Sequence, residues 1–167
     1  MKLSIKTLFI LFLLNSTINA YDGLDRLYTF IGVQGGYSQY DSVDAPTIGF
    51  KYGKQNSQWR TALSYNYSVN SDDIYHSFII QVDKGVLIDI FKNVPFKPYL
   101  GFSLGAMQHR NDSITDRGYL FGGNVGINYV LNNSFDIDIG YRYMTTSKLK
   151  DLNDRSDFAL SLHYYFE

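Results

Sequence analysis

The chain has 167 residues, a formal charge of −1 and no cysteine. That overall balance gives no electrostatic case for nucleic acid or for an anionic surface, and the missing thiols exclude a disulfide framework or a cysteine metal site. With 15 Tyr and 12 Phe but one Trp, the composition favours strands and membrane interfaces.

The first element is a leader. Lys2 and Lys6 make a positive start, residues 8–14 are an unbroken apolar run, and Ile18-Asn19-Ala20 offers a cleavage site. This is the layout of a secretory signal peptide, predicted over residues 1–20, with residues 21–167 as one mature domain. A spanning helix needs roughly 20 apolar residues, more than this run or any later segment provides.

Eight strands are predicted next, each with alternate side chains on opposite faces. The first covers residues 27–40, with Ile31, Val33 and Tyr37 opposite Gly32, Gln34, Gly36 and Ser38. The second covers 47–53 and sets Ile48, Phe50 and Tyr52 against Gly49 and Lys51, with Pro46 placed at its start, where a missing donor does least harm. In the third, Trp59 to Val69 alternate with Arg60, Ala62, Ser64, Asn66 and Ser68. The fourth starts near Ile74, with Phe78, Ile80 and Val82 opposite Ser77, Gln81 and Asp83; its apolar run continues to Ile90 and implies a bulge or an extension. The fifth and sixth, 97–110 and 118–131, put Leu100, Phe102, Leu104, Tyr119, Phe121, Val125 and Ile127 on one face.

The seventh is the cleanest: Phe135, Ile137, Ile139, Tyr141 and Tyr143 alternate with Asp136, Asp138, Gly140 and Arg142. The eighth ends the chain, with Phe158, Leu160, Leu162, Tyr164 and Phe166 opposite Ala159, Ser161, His163 and Tyr165.

The apolar face is free of charge through the regular part of every strand. The other face is rich in Gly, Ser and Asn and carries Lys51, Arg60, Asp83, Asp136, Asp138 and Arg142. A soluble sandwich fills its interior with aliphatics; here the alternation is inside out, as lipid outside would require. Strands cross a bilayer only as a closed sheet without edges. The fold class predicted is therefore all-β: an eight-stranded antiparallel transmembrane β-barrel with short periplasmic turns and longer outer loops. Connections one and three are short, so that asymmetry is partial. The inward charges must pair within a narrow lumen, either as a structural ion-pair network or as a gate for ions. The alternative is a soluble lipocalin-like barrel with the faces reversed.

At this level the chain resembles the small bacterial outer-membrane β-barrel proteins. The strand Pro98-Tyr99-Leu100-Gly101-Phe102-Ser103-Leu104-Gly105, the Tyr141-Arg142-Tyr143 strand and the signal peptide carry the likeness. It is similar to the eight-stranded type, like the transmembrane domain of outer membrane protein A. The resemblance makes Phe158, Leu160, Leu162, Tyr164 and Phe166 the C-terminal assembly signal, although Glu167 follows where the family usually ends on the aromatic. It also implies residence in a Gram-negative outer membrane as a monomer among outer-membrane lipid and lipopolysaccharide. Periplasmic chaperones and the assembly machinery are the implied biogenesis partners, and no cofactor is expected. Some relatives modify lipid A with a His–Ser pair. Here His76 and Ser77 are sequence neighbours that project to opposite faces, and three scattered histidines make no metal site. The Gly35-Gly36 and Gly122-Gly123 pairs read as packing or bending points, and residues 151–157 as a solvated outer loop or an adhesion surface. A non-enzymatic structural, surface-interaction or narrow-channel protein is expected.

Overall fold

The computed structural model describes residues 26–86, 94–111, 115–149 and 152–166. The predicted leader, the apolar run beyond Val86 and Glu167 lie outside them. Eight strands follow one another: β1 (Tyr28–Tyr40), β2 (Val43–Gln55), β3 (Trp59–Asn70), β4 (Asp73–Gly85), β5 (Phe96–Arg110), β6 (Thr115–Val130), β7 (Phe135–Ser147) and β8 (Asp154–Phe166). Each pairs antiparallel with its sequence neighbour, and β8 closes on β1 through registers such as Val33↔Leu162. The sheet is a closed barrel and has no edge.

Alternation explains why these segments are strands and which way they face. On β7, Asp138, Arg142 and Met144 are buried while Ile139, Tyr141 and Tyr143 are exposed. Ile31, Phe50, Leu63, Phe78, Leu100, Val125 and Leu160 are exposed on the same outer wall. Exposed apolar surface on this scale is untenable in water. Among the described residues, every outward Asp, Lys or Arg in a strand stands within three positions of that strand's end: Asp44, Lys54, Lys84, Arg110, Arg117 and Asp154. Aromatic residues such as Tyr28, Phe96, Tyr129 and Phe166 ring the end nearer the chain termini, and Tyr37, Tyr67, Tyr119 and Tyr143 ring the other. An apolar band between two aromatic girdles is the outer surface of a membrane barrel.

The connections use local chemistry. β1–β2 and β3–β4 are two-residue hairpins whose first residues, Asp41 and Ser71, both have φ of 50°. A left-handed first position matches the twist of paired strands. On the termini side, Asn56 Oδ1 accepts from the backbone of Gln58 and Trp59 at 3.0 and 2.7 Å. Asn132 Oδ1 does the same for Ser134 and Phe135 at 2.8 and 3.0 Å. Asx turns of this kind need only one correctly placed side chain.

Three sequence expectations change. β2 starts at Val43, so Pro46 lies inside it, opposite Tyr37; pairing with β3 begins only at Thr47, so the missing donor falls outside that ladder. The lumen face, read as rich in Gly, Ser and Asn, also carries bulky apolar groups, because Phe30, Tyr99, Ile79, Met107, Leu120 and Met144 are all buried. Arg155 and Asp157 belong to β8 and point inward, not to an exposed loop. The inward glycines make room for crowded strands: a Cβ on Gly122 would fall 2.6 Å from Met144 Cα, and one on Gly36 2.8 Å from Ala159 Cα.

Candidate functional site

Inside the barrel, four cations and four carboxylates among the described residues are buried: Lys51, Arg60, Arg142 and Arg155 against Asp83, Asp136, Asp138 and Asp157. Buried charge is tolerated only when paired and hydrogen-bonded, and the strands arrange these groups in three layers.

The first layer gathers Lys51, Arg60, Asp83 and Asp138. Arg60 Nε donates to Asp83 Oδ2 at 2.8 Å and Arg60 Nη1 to Asp138 Oδ2 at 2.9 Å. Lys51 Nζ reaches Asp138 Oδ1 at 3.3 Å, and Tyr99 Oη donates to the same oxygen at 3.2 Å. The Arg60 guanidinium lies 4.3 Å from the centroid of the Tyr99 ring. Gln81 donates to both Asp83 oxygens at 3.0 and 2.8 Å, and Asn124 Nδ2 also donates to Oδ1. Six strands, β2 to β7, are tied together by these bonds.

Asp136 stands apart from that cluster, although it was grouped with Asp138. One pleat repeat, roughly 7 Å along the strand, carries it toward the termini end. There it accepts from His163 Nδ1 at 2.8 Å and from Tyr165 Oη. The His163 ring packs on Phe30, with centroids 4.7 Å apart.

Arg142 forms the third layer with Arg155 and Asp157, which fall within the predicted 151–157 loop. Its Nη2 meets Asp157 Oδ2 at 2.8 Å, while Arg155 Nε donates to Asp157 Oδ1 at 2.7 Å. Arg155 is fully buried and also donates to Ser77 Oγ at 2.7 Å. The signal for both was present: Arg155 and Asp157 keep phase with Ala159, Ser161 and His163. Beside this layer is a small space of about 10 Å³ lined by Gln34, Ser38, Thr47, Asn66 and Arg142 among others. That is room for about one water.

Above it the lumen turns apolar. Tyr40 stacks on Tyr75 at 3.7 Å and Tyr75 on His109 at 4.6 Å. Ile79, Met107, Leu120, Met144 and Leu152 pack in the same cluster. At the rim, His109 Nε2 and Asn111 Nδ2 lie 2.7 and 2.9 Å from Asp73 Oδ1. His76 faces out, with Nδ1 2.7 Å from Tyr65 Oη, while its neighbour Ser77 faces in toward Arg155. The two cannot meet as base and nucleophile.

A closed eight-stranded wall, greasy outside and ionic within, defines an integral outer-membrane type of β-barrel. The chain belongs to the outer membrane protein beta-barrel domain family, matching it over residues 8–166. Membership implies a location in the outer membrane of Gram-negative bacteria. Among solved structures the chain is similar to Neisserial surface protein A, at 18% identity and TM-score 0.70, covering 84% of this chain and 97% of that one. The N-terminal barrel domain of Pseudomonas aeruginosa OprF is similar at 14% identity and TM-score 0.51, covering 84% and 100%. Ail of Yersinia pestis, in complex with the heparin analogue sucrose octasulfate, is similar at 18% identity and TM-score 0.50, covering 85% and 99%. At such identities the likeness is one of fold. No curated protein matches the chain by sequence.

Proposed function

We propose that this protein is a non-conducting, non-enzymatic barrel that acts as a structural and surface-interaction component of the outer membrane. Its partners on this reading are outer-membrane lipid and lipopolysaccharide, with periplasmic chaperones and the assembly machinery during biogenesis, and it works as a monomer. The observation that carries the reading is the filled lumen. Arg60–Asp138 binds the first layer across the bore, Arg155 of β8 reaches Ser77 of β4 beside the Arg142–Asp157 pair, and the Tyr40–Tyr75–His109 stack fills the end away from the termini. Eight strands enclose just enough room for side chains. A narrow channel would have to break these pairs, leaving charges unpaired at a cost of several kcal/mol per ion.

An enzyme reading has less support. The two His–Asp pairs, at His163 and His109, lack an assembled nucleophile among the described residues. His163 Nε2 has no partner there, and Phe30 covers the ring. Single-channel recording on the refolded protein is the test, and silent bilayers are expected. Steady conductance that changes on Arg60→Ala would replace this reading with that of a gated pore. Lipid A mass spectra should be the same with and without the protein.

A further inference from the structure

We propose that the outward wall of β5 and β6, at the end away from the chain termini, binds the phosphate of a membrane lipid headgroup. Register sets Arg117 opposite Gln108 and Arg110 opposite Thr115. The two arginines are therefore diagonal neighbours on one face, roughly 7–8 Å apart at their Cα atoms. Gln108 Oε1 accepts from Arg117 Nε at 3.0 Å and fixes that guanidinium against the wall. Lys148, just past β7 with φ of 70°, holds its ammonium 5.3 Å from the centroid of the outward Tyr119 ring. Three cations thus converge on one patch.

Among the described residues no ion pair neutralises them, and the nearest exposed carboxylate, Asp72 in the β3–β4 turn, stands two positions from Ile74, the register partner of Arg110. Among the described residues, the outward faces of β4, β5, β6 and β7 carry no carboxylate; Asp73 and Asp116 take inward positions, and the outward Asp44 and Asp154 stand on β2 and β8. Like charges side by side on a sheet are destabilising, so the cluster calls for an anion. Arginine's planar fork matches phosphate oxygens, and lysine adds a point charge. The position selects a lipid over a soluble anion. From Arg117 toward the termini end the lipid-facing side of β6 continues as Tyr119, Phe121, Val125 and Ile127, all exposed, so acyl chains on this wall place their headgroup at the cations. At the other end Lys54 and Lys84 stand on separate strands with β3 between them, and Lys84 lies over Trp59.

This inference rests on membrane insertion and is indifferent to whether the lumen conducts. The test uses the refolded protein in phosphatidylcholine nanodiscs doped with diphosphoryl lipid A or with the same lipid stripped of both phosphates. Retention is read by native mass spectrometry. The phosphorylated form should be retained at least about tenfold better, the order that one charge-assisted hydrogen bond supplies. R110Q/R117Q should lose that preference, and K54Q/K84Q should keep it. A heat-shifted gel band reports that each variant is folded, and a bilayer recording separates this result from the question of conductance. Equal retention of the two lipids, or an unchanged preference in R110Q/R117Q, overturns the proposal. So does binding of a soluble sulfated polysaccharide with no lipid preference, which would assign the patch to a glycan.

Discussion

Asp138→Asn is expected to lower folding stability by about 3–5 kcal/mol, the usual cost of removing one partner from a buried ion network. Asp138 accepts from Lys51, Arg60 and Tyr99. The amide keeps the volume and can still accept from Tyr99, but it removes the charge. Lys51 and Arg60, 7% and 5% exposed, are then opposed in their layer by Asp83 alone. The cost reflects a stranded cation, not the net worth of the pairs. Adding Lys51→Met should therefore recover much of the loss, giving a coupling energy of roughly 0.5–3 kcal/mol. Urea unfolding in phospholipid vesicles checks this, with the shift expected in the midpoint and not in the slope. If Asp138→Asn unfolds within 1 kcal/mol of the parent, on the order of an exposed pair, the lumen is wet.

The same geometry shows what the sequence carries and where it stops. Period-two alternation is decisive for β3 and β7 because each position's chemistry agrees with its face. It fades where strands begin in turn-type residues: Asp44 and Pro46 hid the start of β2, and Asp154 and Ser156 hid that of β8. Phase alone recovers Arg155 and Asp157. Ile79 was overlooked for the opposite reason, since Phe78-Ile79-Ile80 reads as one apolar run although Ile79 keeps step with Ser77 and Gln81.

Partner choice was less legible than face. Lys51 and Asp138 are 87 residues apart and meet across the bore, a contact set by closure, strand tilt and register together. Asp136 and Asp138 share a face and a strand, yet one pleat repeat sends the first to His163 and the second to Arg60. A list of inward charges specifies a network's members, and only the closed sheet specifies its bonds. The apolar cap was hidden similarly: Tyr75 and His109 are register partners on β4 and β5, and Tyr40 of β1 joins their stack only when the barrel closes.

The outer wall obeys the reverse rule, so the residue next to Asp138 should answer oppositely to charge. Ile139 lies opposite Ile127 of β6 and Leu160 of β8, all three exposed, near the middle of β7. Ile139→Arg is expected to cost about 2–4 kcal/mol, the range for a cation on the lipid face at the bilayer midplane. Ile139→Leu, which keeps the volume and the apolar character, should cost less than about 1.5 kcal/mol. A depth series is the sharper form, because the penalty fades to about 0–1 kcal/mol near the interfaces. Thr145→Arg, on the same face and two residues from the end of β7, should be nearly silent. The folded fraction in vesicles against urea, read by gel shift, measures all three. Equal losses at positions 139 and 145 would mean that no hydrocarbon gradient runs along this face. Tolerance of Arg at both would place the wall in water, and the exposed aliphatic rows of all eight strands would then need another cover.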